Sequence, residues 1–123
     1  MAKSLIEQIK AARQTRVPSH GKTFVVSRPT DLEMMDLRAK EIKQGEIITR
    51  FVTGWDGFTE LDFVSSGGPD PVAFDAALFA EYIADHPEHW DAIVNAVIES
   101  YQAHQEATEE SLKNSVPGST SRT

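Results

Sequence analysis

The sequence predicts a mainly α fold: a small single-domain helical protein with at most a short β element near residues 22–27 and 59–64. Three observations carry that expectation. Trp90, Ile93, Val94, Val97, Ile98 and Tyr101 recur at i, i+3, i+4, i+7, i+8 and i+11, the stripe of an amphipathic helix. Ser4 with Glu7, and Thr30 with Glu33, have the spacing of capping boxes, in which hydroxyl and carboxylate each satisfy a backbone N–H at a helix start. The β-branched and aromatic runs are short and bounded by Gly or Pro, which leaves little sequence for a sheet. With 123 residues the chain can bury one core. That core is expected within residues 1–114, followed by a disordered Ser/Thr/Pro/Gly-rich tail over 115–123.

Residues 4–13 form the first expected helix, with Leu5, Ile9 and Ala12 on one face, Ile6 beside them, and Lys3, Glu7, Lys10 and Arg13 towards water. Val17-Pro18-Ser19-His20-Gly21 breaks that pattern. Thr23-Phe24-Val25-Val26 then reads as a short strand. Thr30 opens a helix expected to run to about Gln44, with Leu32, Met35, Ala39 and Ile42 buried and Gly45 as its stop. Residues 47–52 suit a strand by composition and a helical turn by context. With no clear hairpin partner, helix is favoured.

Residues 54–71 are rich in glycine and read as a long loop, unusual in length and anchored by Trp55 and Phe58. Within it Leu61, Phe63 and Val64 form a brief extended segment packing inward. Asp75 is placed to cap the next helix, with Phe74 and Phe79 as a hydrophobic staple and Leu78, Phe79, Tyr82 and Ile83 on its apolar side. Asp85-His86-Pro87-Glu88 should end that helix and start another, Asp85 capping and Pro87 in the first turn. The last helix should continue in polar form through Glu110.

Composition narrows the function. There is no Cys, which removes disulfides and thiolate chemistry and points to a reducing compartment. No stretch approaches the roughly 18 apolar residues that a membrane span needs, so a cytoplasmic protein with no membrane partner is expected. The net charge of −7 is unevenly spread: residues 1–50 hold ten Lys/Arg against six Asp/Glu, whereas residues 51–112 hold thirteen Asp/Glu and no Lys or Arg. That field repels nucleic acid and favours basic partners, including the N-terminal halves of other copies.

Catalytic signatures are absent. His86 and His89 are three apart, but no third ligand stands at a recognised spacing, so no metal and no cofactor is expected. Ser65-Ser66-Gly67-Gly68 lacks the Lys and the following Ser/Thr of a phosphate loop. No carboxylate pair has a basic neighbour in the same segment to polarise it. The chain reads as a non-enzyme. Most of its aromatics should be core, but Trp55, Phe58, Phe79 and Tyr82 are candidates for a partner-binding groove.

Several short motifs occur in a telling order: Phe24 with Ser27-Arg28-Pro29-Thr30-Asp31, then Phe51-Val52-Thr53-Gly54-Trp55-Asp56-Gly57-Phe58, then Pro71-Val72-Ala73-Phe74-Asp75, then Asp85-His86-Pro87 and the long amphipathic helix. Over residues 22–102 this order resembles the tail assembly chaperones of long-tailed bacteriophages and their prophages. The stretch after Gly57 is longer and more Gly-rich than in that family, and Phe74-Asp75 replaces a polar cap. The resemblance implies a non-catalytic protein in the bacterial host cytoplasm that coats the tape-measure protein, recruits tail-tube subunits and self-associates as a homo-oligomer. It also implies a second product, extended by ribosomal frameshifting near Lys113. The alternative function is an acidic inhibitor or nucleic-acid mimic occupying a basic cleft. Against it, the carboxylates alternate with apolar stripes rather than lining one face.

Overall fold

Ser4 and Thr30 both close the capping boxes their spacing predicts, each hydroxyl accepting from the backbone N–H three residues on. The helices they open are α1, Leu5–Ala12, and α2, Asp31–Ala39. In the computed structural model, which describes residues 4–115, these are followed by α3 (Gln44–Phe51), α4 (Ala76–Ala84) and α5 (Trp90–Ser115). Three strands complete the set: β1 (Gln14–Ser19), β2 (Lys22–Ser27) and β3 (Val52–Asp56). They pair antiparallel in the order β1-β2-β3. Of the described residues, 59% are helical and 17% are in strands or bridges. The fold is therefore mixed α/β, and the expectation of a mainly α protein with at most a short β element is corrected.

The missed strands are missed for a physical reason. β1 reads Gln-Thr-Arg-Val-Pro-Ser, and only Val17 and Ser19 turn into the core, so it carries almost no apolar signal. Its turn to β2 is the two residues His20-Gly21, both at positive φ (46° and 79°), which is the type I′ arrangement that matches strand twist. Glycine reaches that region freely, whereas His20 adopts it at some cost. Pro18 is tolerated because the register turns its missing N–H to the outer edge.

β3 follows α3 with no loop between them. Residues 47–51 are helical as favoured from context, and Val52 is the first residue of the strand. The pairing partner is β2, some 25 residues upstream, with a bulge where Val25 meets Gly54 and Val26 meets Val52. Residues 59–64 are not extended. Glu60–Asp62 is a 3-10 turn, and Thr59 makes a single bridge to Pro71.

Two further boundaries differ from expectation. α2 ends at Ala39, and Gly45 lies inside α3 rather than stopping a helix. α2 presents Leu37 to the core and leaves Leu32, Met35 and Ala39 exposed. Asp75 caps α4 by accepting from the Leu78 N–H at 2.9 Å, and the Phe74–Phe79 staple forms with ring centroids 5.9 Å apart. Asp85, however, closes α4 at its C-terminus, and the following 3-10 turn, Pro87–His89, begins from His86.

The core lies between one face of the sheet and helices α3, α4 and α5. The other face stays open, where the Arg16–Asp56 ion pair is largely solvated. At about 1.5 Å per residue, α5 is roughly 39 Å long, and its buried row is Ile93, Val97 and Tyr101. Beyond Tyr101 only His104 and Gln105 are half-buried up to residue 114, so the second half of α5 stands away from the domain. Ser115 ends α5, and the rest of the tail expected to be disordered lies outside the described residues. Among those residues, no helix is long and apolar enough to cross a membrane.

Candidate functional site

The four aromatics proposed from the sequence for partner binding converge, but on the core. β3 directs Trp55 inward, and the Asp56-Gly57 turn, with Gly57 at φ 88°, folds Phe58 back to stack on it at 4.3 Å. Phe79 and Tyr82, one turn apart on α4, close the cluster at 6.3 Å from Trp55 and 4.9 Å from Phe58. Phe24 of β2 meets both Phe58 and Phe79 edge to face. Phe58, Phe79 and Tyr82 are buried and Trp55 is half-buried, its indole N–H donating to the Val72 carbonyl at 2.8 Å. A partner reaching this fold meets at most the rim of Trp55.

Lys22 seals the cluster. Its ammonium sits 5.1 Å from the Phe58 ring centre, pairs with Asp62 at 2.7 Å and donates to the Gly57 carbonyl. Partial burial pushes the Asp62 carboxyl up. The hydrogen bonds from Lys22 and Thr59 outweigh it and hold the group below its ordinary value.

Beside the aromatics is a polar group that sequence reasoning did not find. His89 is 1% exposed, with Nδ1 2.8 Å from the Ser19 hydroxyl and Nε2 3.2 Å from the Tyr82 hydroxyl. A neutral imidazole has one donor and one acceptor nitrogen, and two hydroxyls can serve either tautomer. Burial pulls the His89 pKa below its ordinary value; Glu88 opposes this, and His20, His86 and Lys22 add to it. The same desolvation, with Glu88 and Asp62, raises the Tyr82 phenol. His86 stacks flat on the Tyr82 ring at 3.8 Å. The signal for a buried His89 was present in the sequence: it leads the i, i+4, i+8 row completed by Ile93 and Val97.

This polar group is internally satisfied. Among the described residues no buried side-chain nitrogen or oxygen lacks a partner, and no three His, Asp or Glu side chains converge as a metal-ligand set. At the other end of the molecule, Asp31 accepts from the Tyr101 hydroxyl at 2.8 Å and lies 3.3 Å from His104 Nε2. These contacts lower the Asp31 pKa, the Tyr101 bond first, and tie the start of α2 to the middle of α5.

The surface offers material for binding. Leu5, Ile6 and Ile9 of α1 are exposed, Leu5 at 73%. Leu32 and Met35 of α2 are exposed at 77% and 68% beside Arg50. The exposed half of α5 carries Glu106, Glu109 and Glu110. No family model, curated protein or solved structure matches the chain.

Proposed function

We propose that the protein is a non-catalytic assembly factor, a tail assembly chaperone of a long-tailed phage or prophage that binds the tape-measure protein and tail-tube subunits during tail morphogenesis. The observation that carries this is the α5 arm, which leaves the domain as an exposed acidic helix while apolar side chains on α1 and α2 stay uncovered. A long helical client needs a partner that offers apolar contacts without self-precipitating, and an acidic surface meets the second requirement. The ordered motifs over residues 22–102 support the same reading.

Self-association belongs to this proposal. The basic N-terminal half and the acidic remainder can meet head to tail between copies, a contact that permits rings or filaments. Such assembly weakens as the screening length falls from about 10 Å at 0.1 M salt to about 3 Å at 1 M. Light scattering at both ionic strengths should report a larger particle at low salt. An unchanged monomer removes this element.

The chaperone role itself is tested by co-expression with a tape-measure fragment. The client should remain soluble and co-purify with the full chain, and co-purification should fall when Glu106, Glu109 and Glu110 are replaced by Lys. A client that stays insoluble with the full chain present counts against the role.

A further inference from the structure

β1 is the edge of the sheet, and its register fixes what that edge exposes. The two-residue turn makes Ser19 and Lys22 a hydrogen-bonded pair. The alternation carries this to Val17 and Thr15, and the Arg28 N–H donation to the Arg13 carbonyl at 2.9 Å confirms the phase. Gln14, Arg16 and Pro18 therefore turn their backbone polar groups outward. Among the described residues no strand pairs with them.

The free edge borders a groove of about 570 Å³ between β1 and α5. Thr15 and Val17 form one wall; Ala92, Ala96 and Ser100 form the other, and as small side chains at i, i+4 and i+8 they leave the space between helix and strand unfilled. A second hollow of about 390 Å³ shares Thr15 and Ser100 and extends the groove to Arg13 and Arg28. Neither arginine makes an ion pair among the described residues; Arg28 donates to the Pro29 carbonyl. In a chain with excess acid, the two arginines at one end of the groove define what fits there. Arg28 also acts on the Asp31 carboxylate, whereas Arg13 has no acidic partner among the described residues.

We propose that this edge binds an extended peptide of another protein as a fourth strand, with apolar side chains in the groove and a carboxylate over Arg13 and Arg28. Main-chain bonds to Gln14 and Arg16 supply the attachment, and alternate side chains supply the selectivity. Residues two apart on a strand share a face, so side chains opposite Val17, Thr15 and Arg13 follow the pattern apolar-x-apolar-x-acid, read in either direction. Glu99 on the groove wall repels an acid at the centre and places it at the arginine end. Pro18, lacking an N–H, limits the pairing at the turn. This inference is independent of the chaperone reading.

The test is selection from a library of random peptides against the full chain, followed by 15N NMR titration with the enriched sequences. Enrichment of the stated pattern, with shifts at the Gln14 and Arg16 amides, is the expected result. Asn95→Trp, which fills the groove from an exposed position, should weaken binding by about tenfold or more, about 1.4 kcal/mol. Arg13→Glu should turn the preference from acidic to basic peptides. No enrichment, or binding indifferent to both substitutions, overturns the proposal. So does a dimer in light scattering that Arg16→Pro dissolves, because the occupant is then a second copy.

Discussion

Burial disfavours the charged form of His89, whose nitrogens meet the Ser19 and Tyr82 hydroxyls, and outweighs the Glu88 carboxylate 3.7 Å from Nε2. An unfolded His titrates near about 6.5, and burial sets the folded value lower. As pH falls the unfolded chain takes up this proton first. Stability is therefore complete above about pH 6.5 and is lost as pH falls from there through the lower folded value. Urea midpoints should drop between pH 7.5 and 5.5, and His89→Gln, which cannot charge, should be less stable at pH 7.5 but flatter across that window. Equal slopes in the two proteins would refute this account. Packing matters more than polarity nearby. Phe58→Ala should cost about 3–5 kcal/mol, whereas Tyr82→Phe, which removes one hydroxyl from His89, should cost about 1 kcal/mol. Equilibrium denaturation of both orders the two effects. At this scale the sequence was readable in part. Spacing marks Phe58 and Tyr82 as energetic aromatics, core by default with a partner groove as the alternative, because it identifies a face without saying what covers it.

Caps and turns decide where the elements lie. Ser4, Thr30 and Asp75 act as the sequence predicts, because a cap is a contact between residues three apart and needs no tertiary information. The loop after β3 behaves otherwise. A Cβ on Gly67 would sit 2.6 Å from the Glu60 carbonyl, backbone that cannot give way without moving the 3-10 turn. At the neighbouring Gly68 the nearest atom is the Glu60 carboxylate at 3.5 Å. Gly67→Ala should thus lower the melting temperature by several degrees, equivalent to about 1–3 kcal/mol of strain. Gly68→Ala should leave it nearly unchanged. Thermal unfolding of the two variants separates close approach from general loop tolerance, and equal effects would show that the approach to Glu60 is not what requires glycine.

At the scale of the molecule, the packed domain and the acidic arm are separable. An isolated helix of the arm's length is marginal in water, so the packed half of α5 nucleates the exposed half. Ending the chain after Gln105 should lower the melting temperature by less than about 4 °C, under about 1 kcal/mol for a domain of this size. The same truncation should shorten the particle measured by small-angle scattering. A collapse in stability would mean that the arm carries part of the core. The uneven charge belongs to this scale too, because it produces a long-range field that no single ion pair accounts for.

Local order is legible along the chain: two capping boxes, the Phe74–Phe79 staple, the Trp90–Tyr101 stripe, and the absence of cysteine and of a membrane-length apolar run. Each is written in residues that are neighbours along the chain. The sheet, in contrast, emerges from long-range pairing. β1 is polar because Gln14, Thr15, Arg16 and Pro18 are exposed, and β3 contributes only the buried Val52 and the half-buried Gly54 and Trp55, whose partners lie far upstream, so neither holds enough apolar periodicity to announce itself. The placement of Trp55, Phe58, Phe79 and Tyr82 in the core follows from that sheet. Strand pairing joins residues that loop closure must first bring together, and a pattern read along the chain does not contain that pairing.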